Sequence, residues 1–169
     1  ERDRAYDRLR YDEAIGLQWA LAERRHSERA HTAPAAPRRD DGLCAALQSR
    51  LPFELTAGQR DVLEVISDEL TQPRPMSRML QGEVGSDKTV VALLAMMQMV
   101  DAGYQCALLA PTEVLADQHA RSIREVLGPL AMAGELGGAD DATRVALLTG
   151  SMSPAQKRAV RDEIAGGAA

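Results

Sequence analysis

Aromatic residues are almost missing from this sequence: one Phe, one Trp and three Tyr among 169 residues. Any core must therefore be aliphatic, which a hydrophobic content of 45% permits. Cysteine is as scarce. Cys44 and Cys106 show neither metal-ligand nor disulfide spacing, which excludes a disulfide scaffold and fits a reducing compartment. The longest apolar run, Val90 to Val100, is broken by Gln98 and is too short to span a bilayer. No signal-peptide pattern opens the sequence, so the expected setting is the cytoplasm, with no membrane partner. A basic field is absent too. Residues 1–50 carry ten Arg against nine acids, whereas 51–169 carry ten basic and sixteen acidic residues, giving −5 overall. Contact with nucleic acid must then be local rather than field-driven. Lysine is the last scarcity: only Lys88 and Lys157 occur among twenty basic residues. A lysine placed where Arg is the habit points to a need for a compact point charge at Lys88.

What is present is an alternation of helices and short apolar runs. Residues 1–31 read as a charged helix, with Ala5, Leu9, Ile15, Trp19 and Ala22 near helical spacing. Thr32 to Gly42, with Pro34 and Pro37, reads as a flexible linker, and Leu43 to Arg50 as a short helix. Thr56 opens the next helix with Gln59 at capping-box spacing and Val62, Leu63, Ile66 and Leu70 on its apolar face. Ser77 to Gln81 is a short predicted strand. A helix apolar almost all round follows from Lys88 to about Ala102, stopped by Gly103. Gln105 to Ala110 is expected as a buried strand, and a helix then runs from Thr112 to about Leu127. Gly128 to Asp141 is a Gly-rich loop, Arg144 to Leu148 a further strand, and Ser153 to Ala165 a last helix with Pro154 at its first position. The alternation implies an α/β fold, a parallel sheet with flanking helices joined by right-handed crossovers.

Between the first predicted strand and its helix lies Gly82-Glu83-Val84-Gly85-Ser86-Asp87-Lys88-Thr89. The phosphate-loop pattern G-x-x-x-x-G-K-[ST] is met except at Asp87, where glycine is required. Such a loop binds phosphate through backbone N–H groups converging at a helix N-terminus. Asp87 sets a carboxylate where the β- and γ-phosphates would sit.

Three further blocks flank this loop. Leu51-Pro52-Phe53-Glu54-Leu55-Thr56-Ala57-Gly58-Gln59 resembles the Phe…Gln adenine-recognition motif of superfamily 2 helicases. Ala110-Pro111-Thr112-Glu113-Val114-Leu115-Ala116-Asp117-Gln118-His119 resembles their motif Ia, and Leu147-Leu148-Thr149-Gly150-Ser151 their motif Ib. The wording of the four blocks is similar to the RecG family of bacterial branch-migration DNA helicases. Residues 8–21, ending in Gln18-Trp19-Ala20-Leu21, are similar to that family's helical connector. The resemblance covers nearly all of the chain except the linker.

The resemblance implies a partial RecA-like P-loop NTPase domain preceded by a connector helix and linker. It places the end of the wedge region at 1–31, a linker and short helix at 32–50, and the N-terminal half of the first motor domain at 51–169. It also implies ATP and Mg²⁺ as cofactors, with branched or double-stranded DNA and the remainder of a helicase chain as partners. ATP-binding residues would be Phe53, Gln59, Gly82, Glu83, Val84, Gly85, Ser86, Asp87, Lys88 and Thr89, with Thr89 holding Mg²⁺ through the nucleotide. DNA-backbone contacts would come from Pro111, Thr112, Gln118, Thr149 and Gly150.

No catalytic set is complete. The pairs Asp12-Glu13, Asp68-Glu69 and Asp162-Glu163 do not follow a hydrophobic strand, so no Walker B box is recognised. Two readings stay open: part of an ATP-dependent helicase for branched DNA in recombination and repair, or a non-enzymatic remnant. A stand-alone P-loop kinase or small ATPase would need its own Walker B carboxylate. Several residues carry plain structural alternatives. Gln59 is explained equally by the capping box, Phe53 by anchoring its loop in the core, and Thr112 by an N-cap. The Met96, Met97, Met99 group reads as core filling.

Overall fold

The computed structural model describes residues 2–29, 31–83, 88–134, 136–139 and 142–167. Six α-helices appear in this order: α1 (Arg2–Arg29), α2 (Leu43–Arg50), α3 (Ala57–Leu70), α4 (Lys88–Asp101), α5 (Glu113–Leu127) and α6 (Pro154–Ala165), with a 3₁₀ turn at Gly128–Ala131. Their ends are dictated locally. Thr56 and Gln59 close the expected capping box on α3, and Ser153 and Gln156 make the same box on α6 behind Pro154. Thr112 caps α5 by accepting from the Leu115 amide at 3.3 Å. Past the end of α4 the chain turns at Gly103 with φ 84°, a left-handed conformation that favours glycine.

The core is aliphatic and centred on α4. Leu93 and Leu94 are buried there together with Val90 and Met97, against Leu43 and Leu47 of α2 and Ile123 and Leu127 of α5. α2 and α3 both pack on α4. Truncating a leucine at such a site costs about 2–5 kcal/mol.

Residues 32–42, expected to be flexible, are held fast. Ala36 is fully buried, its amide donates to Leu70 O at 2.8 Å, and Ala33 N donates to Pro73 O at 3.3 Å. Arg38 reaches the Asp68 carboxylate at 2.5 Å and the Glu64 carbonyl at 3.2 Å. The reason lies far along the chain. Gln98, 3% exposed on α4, donates from Nε2 to Ala36 O (2.8 Å) and Ser67 O (3.2 Å), while its Oε1 accepts from Ser67 Oγ at 2.5 Å. A segment that reads as loop thus gains one of its anchors from a buried amide. Asp101, at the end of the same helix, accepts from the amides of Leu43 (2.6 Å) and Cys44 (3.0 Å) and so caps α2. A Cβ on Gly42 would strike that carboxylate.

The expected strands differ from expectation. Among the described residues, 77–81, 105–110 and 144–148 form no ladder, and the one pairing is an isolated antiparallel bridge between Met132 and Arg144. Segment 105–110 is not buried: Leu109 is 91% exposed and Leu108 46%. It is fastened by side chains instead, with Gln105 Nε2 donating to Ile164 O at 2.8 Å. Arg124 donates likewise to Val145 O at 2.7 Å. Each strand needs a neighbour in register for its N–H and C=O groups, and none lies alongside among these residues.

Candidate functional site

Lys88 opens α4, and its ammonium reaches back over the loop before it. Nζ donates to Gly82 O at 3.0 Å and to Glu83 O at 2.6 Å. Thr89 follows, half-buried. A lysine at a helix N-terminus, close to the glycine that starts the motif, is one cationic donor of the kind a polyphosphate needs. Val84, Gly85, Ser86 and Asp87 lie outside the described residues.

The adenine-motif segment lines an open cavity of about 450 Å³, walled by Phe53, Glu54 and Arg60 together with Gln48 and Ser49 from α2. Phe53 is 41% exposed, lines the cavity and does not serve as a core anchor. Gln59 is committed to the helix cap, its side-chain Oε1 accepting from Thr56 N at 2.8 Å and its backbone N–H donating to Thr56 Oγ1 at 3.2 Å. Arg60 donates to the carbonyl of Leu55, which stiffens the turn under the cavity.

The blocks around Thr112 and Thr149 come together. Glu113, the first residue of α5, brings its carboxylate against Gly150: a Cβ there would lie 2.7 Å from Glu113 Oε1. Thr149 Oγ1 and Ser151 Oγ are 3.2 Å apart. Lys157, on α6, donates from Nζ to Gly150 O at 2.6 Å. Pro111, Thr112, Gln118 and Gly150 are exposed and Thr149 is half-buried. Sequence reading missed Glu113 and Lys157 as parts of this corner. The signal for Lys157 was available: it is one of only two lysines.

Among the described residues no cluster of metal-ligating side chains occurs, and no helix is long and apolar enough to cross a membrane. Burial raises the Cys44 thiol above its usual range, and the nearby Asp101 charge adds to the effect.

Comparison with known proteins places this arrangement. The model of the DEAD/DEAH box helicase family matches residues 55–159. The chain belongs to the DEAD/DEAH box helicases, and its fold is the RecA-like helicase fold. Within that class its likeness is to RecG. It is 69% identical over 166 residues to the ATP-dependent DNA helicase RecG of Mycobacterium tuberculosis (strain H37Rv), covering 98% of this chain and 22% of the relative. To RecG of Aquifex aeolicus it is 38% identical over 158 residues, covering 94% of this chain and 18% of the relative. A solved structure of RecG bound to a three-way DNA junction superposes with TM-score 0.76 at 34% identity, covering 93% of this chain and 20% of that one. The chain thus spans about a fifth of the length of the relatives it matches.

Proposed function

We propose that this chain is part of a RecG-like ATP-dependent DNA helicase acting on branched DNA. Residues 1–31 would be the connector, 32–50 the joining segment with α2, and 51–169 the N-terminal half of the first motor domain. The observation that carries the reading is Lys88, held over the loop carbonyls of Gly82 and Glu83 at the start of α4. The identity to RecG across nearly the whole chain supports it.

On this reading residues 82–89 would hold the phosphates of ATP, and Thr89 would meet its Mg²⁺; the bound nucleotide supplies the phosphoryl group. Phe53 would lie against adenine at the 450 Å³ cavity. Gln59 could read the base only by giving up part of its cap. Pro111, Thr112, Gln118, Thr149 and Gly150 would meet the DNA backbone, and the cell compartment would be the cytoplasm. The exposed apolar segment 105–110 would pair with further strands of a parallel sheet.

Asp87 favours the second reading, a remnant that binds neither ATP nor DNA usefully. Titration of Mg-ATP into the chain and into Lys88→Ala separates the two. Binding that the substitution abolishes supports the helicase reading, and equal heats for both proteins refute it. Hydrolysis is not expected from this chain alone, since no Walker B carboxylate is recognised in it. DNA-stimulated phosphate release above the Lys88→Ala control would disprove that.

A further inference from the structure

The chain's two lysines do the same thing in two places. Lys88 grips the carbonyls of Gly82 and Glu83, and Lys157 grips the carbonyl of Gly150. In both cases a compact ammonium sits on a loop that would meet phosphate. Lys88 stands in a phosphate-loop motif, whereas no motif marks Lys157, seven residues beyond Gly150 on the next helix.

We propose that Lys157 is a nucleic-acid contact: its ammonium exchanges the Gly150 carbonyl for a phosphodiester oxygen of the strand that reaches the Thr112 and Thr149 loops. The inference rests on the DNA reading above and adds the cation that reading lacks. Hydroxyl groups and exposed loop backbone at Thr112, Thr149 and Ser151 can position a phosphate, but they carry no charge to offset it. The surrounding sequence does not help, because residues 51–169 are net acidic. A cation at the corner itself would supply the attraction, and Lys157 is in place there. An ammonium has three donors, and the Gly150 carbonyl takes one of them. Exchanging a neutral carbonyl for an anionic oxygen adds the attraction between opposite charges to a bond whose donor is already ionised.

Glu113 opposes the contact. Its carboxylate lies against Gly150, so a phosphate entering the corner meets one positive and one negative group. Neutralising Glu113 therefore should tighten binding where neutralising Lys157 loosens it. The opposed pair also separates a binding role from a purely structural one, because both substitutions disturb the same loop.

The test is fluorescence anisotropy of a fluorescein-labelled synthetic three-way DNA junction with the chain, from about 50 to 200 mM NaCl. Lys157→Gln is expected to weaken binding roughly 3- to 10-fold at the low-salt end and to reduce the slope of log affinity on log salt by about one. Lys157→Arg should keep both, and Glu113→Gln should tighten binding. Mg-ATP affinity should be the same in Lys157→Gln and the parent, which distinguishes a nucleic-acid phosphate from a nucleotide phosphate. Junction binding by Lys157→Gln with unchanged affinity and slope, while Thr149→Ala weakens it, overturns the proposal and leaves the DNA reading standing. Weaker binding at an unchanged slope with a lowered melting temperature assigns Lys157 a structural role and also overturns it. Absence of junction binding by the parent chain overturns both.

Discussion

The side-chain amide of Gln98 donates to the carbonyl oxygen of Ala36, a residue 62 positions earlier, at 2.8 Å. The same side chain satisfies both the hydroxyl and the carbonyl of Ser67. Gln98→Leu would fill the space and leave those groups unpaired, at about 1–3 kcal/mol for each group stranded. The expected result is a lower urea midpoint with an unchanged slope, and faster exchange of the Ala36 amide. An unaltered midpoint would show that residues 32–42 do not depend on this bond.

Arg78 pairs with Glu69 through two guanidinium nitrogens, Nε at 2.8 Å and Nη2, and ties residues 77–81 to α3. The hydrogen bond to Arg78 is the main reason the Glu69 carboxyl sits below its ordinary range. A depressed folded-state value means the contribution is complete above the unfolded carboxylate range and fades as pH falls through the lowered one. Both partners are partly exposed, so solvent screens the pair and its contribution is small. The stability difference between the parent and Arg78→Ala should therefore be small near neutral pH and vanish under strong acid. A difference that grows on acidification would contradict the assignment.

Asp87→Gly should raise Mg-ATP affinity at least about tenfold. One carboxylate about 4 Å from a phosphate charge costs roughly 1 kcal/mol in water and about 4 kcal/mol at an effective dielectric of 20. ATP presents several such charges, and every 1.4 kcal/mol is about a factor of ten. Calorimetric titration of both forms decides the matter; equal affinities would place the defect elsewhere.

Leu109 at 91% exposure and Met79 at 91% lie on segments whose backbone has no ladder partner among the described residues. Apolar, unpaired backbone of this kind associates edge to edge. The chain should self-associate with rising concentration in sedimentation velocity, and Leu109→Glu should reduce that association without lowering helicity. Monomer at all concentrations in the parent would show that the segment is harmless.

Helices were legible because their signals are local. Thr56 with Gln59, Ser153 with Pro154 and Gln156, and Gly103 each decide an end within four residues. The strands were not, since a short apolar run such as 105–110 states an appetite for burial but not the neighbour that would satisfy it. Segment 32–42 was misread for a related reason. Its prolines and charges look like linker, and the residue that fixes it, Gln98, reads in sequence only as a flaw in an apolar helix. At the candidate site the phosphate loop could be read from spacing. The meeting of Glu113, Gly150 and Lys157 could not, because it depends on how α5 and α6 approach one loop.

Asp101 holds the N-terminus of α2, and Gly42 leaves room for its carboxylate. These two positions are therefore coupled. An acid at 101 is useful only while 42 lacks a side chain, and a side chain at 42 is tolerable only once 101 has withdrawn its carboxylate. In a double-mutant cycle, Gly42→Ala should cost clearly more in the parent than beside Asp101→Ala. The pair is a constraint written across 59 residues of chain, visible only once the two ends have met.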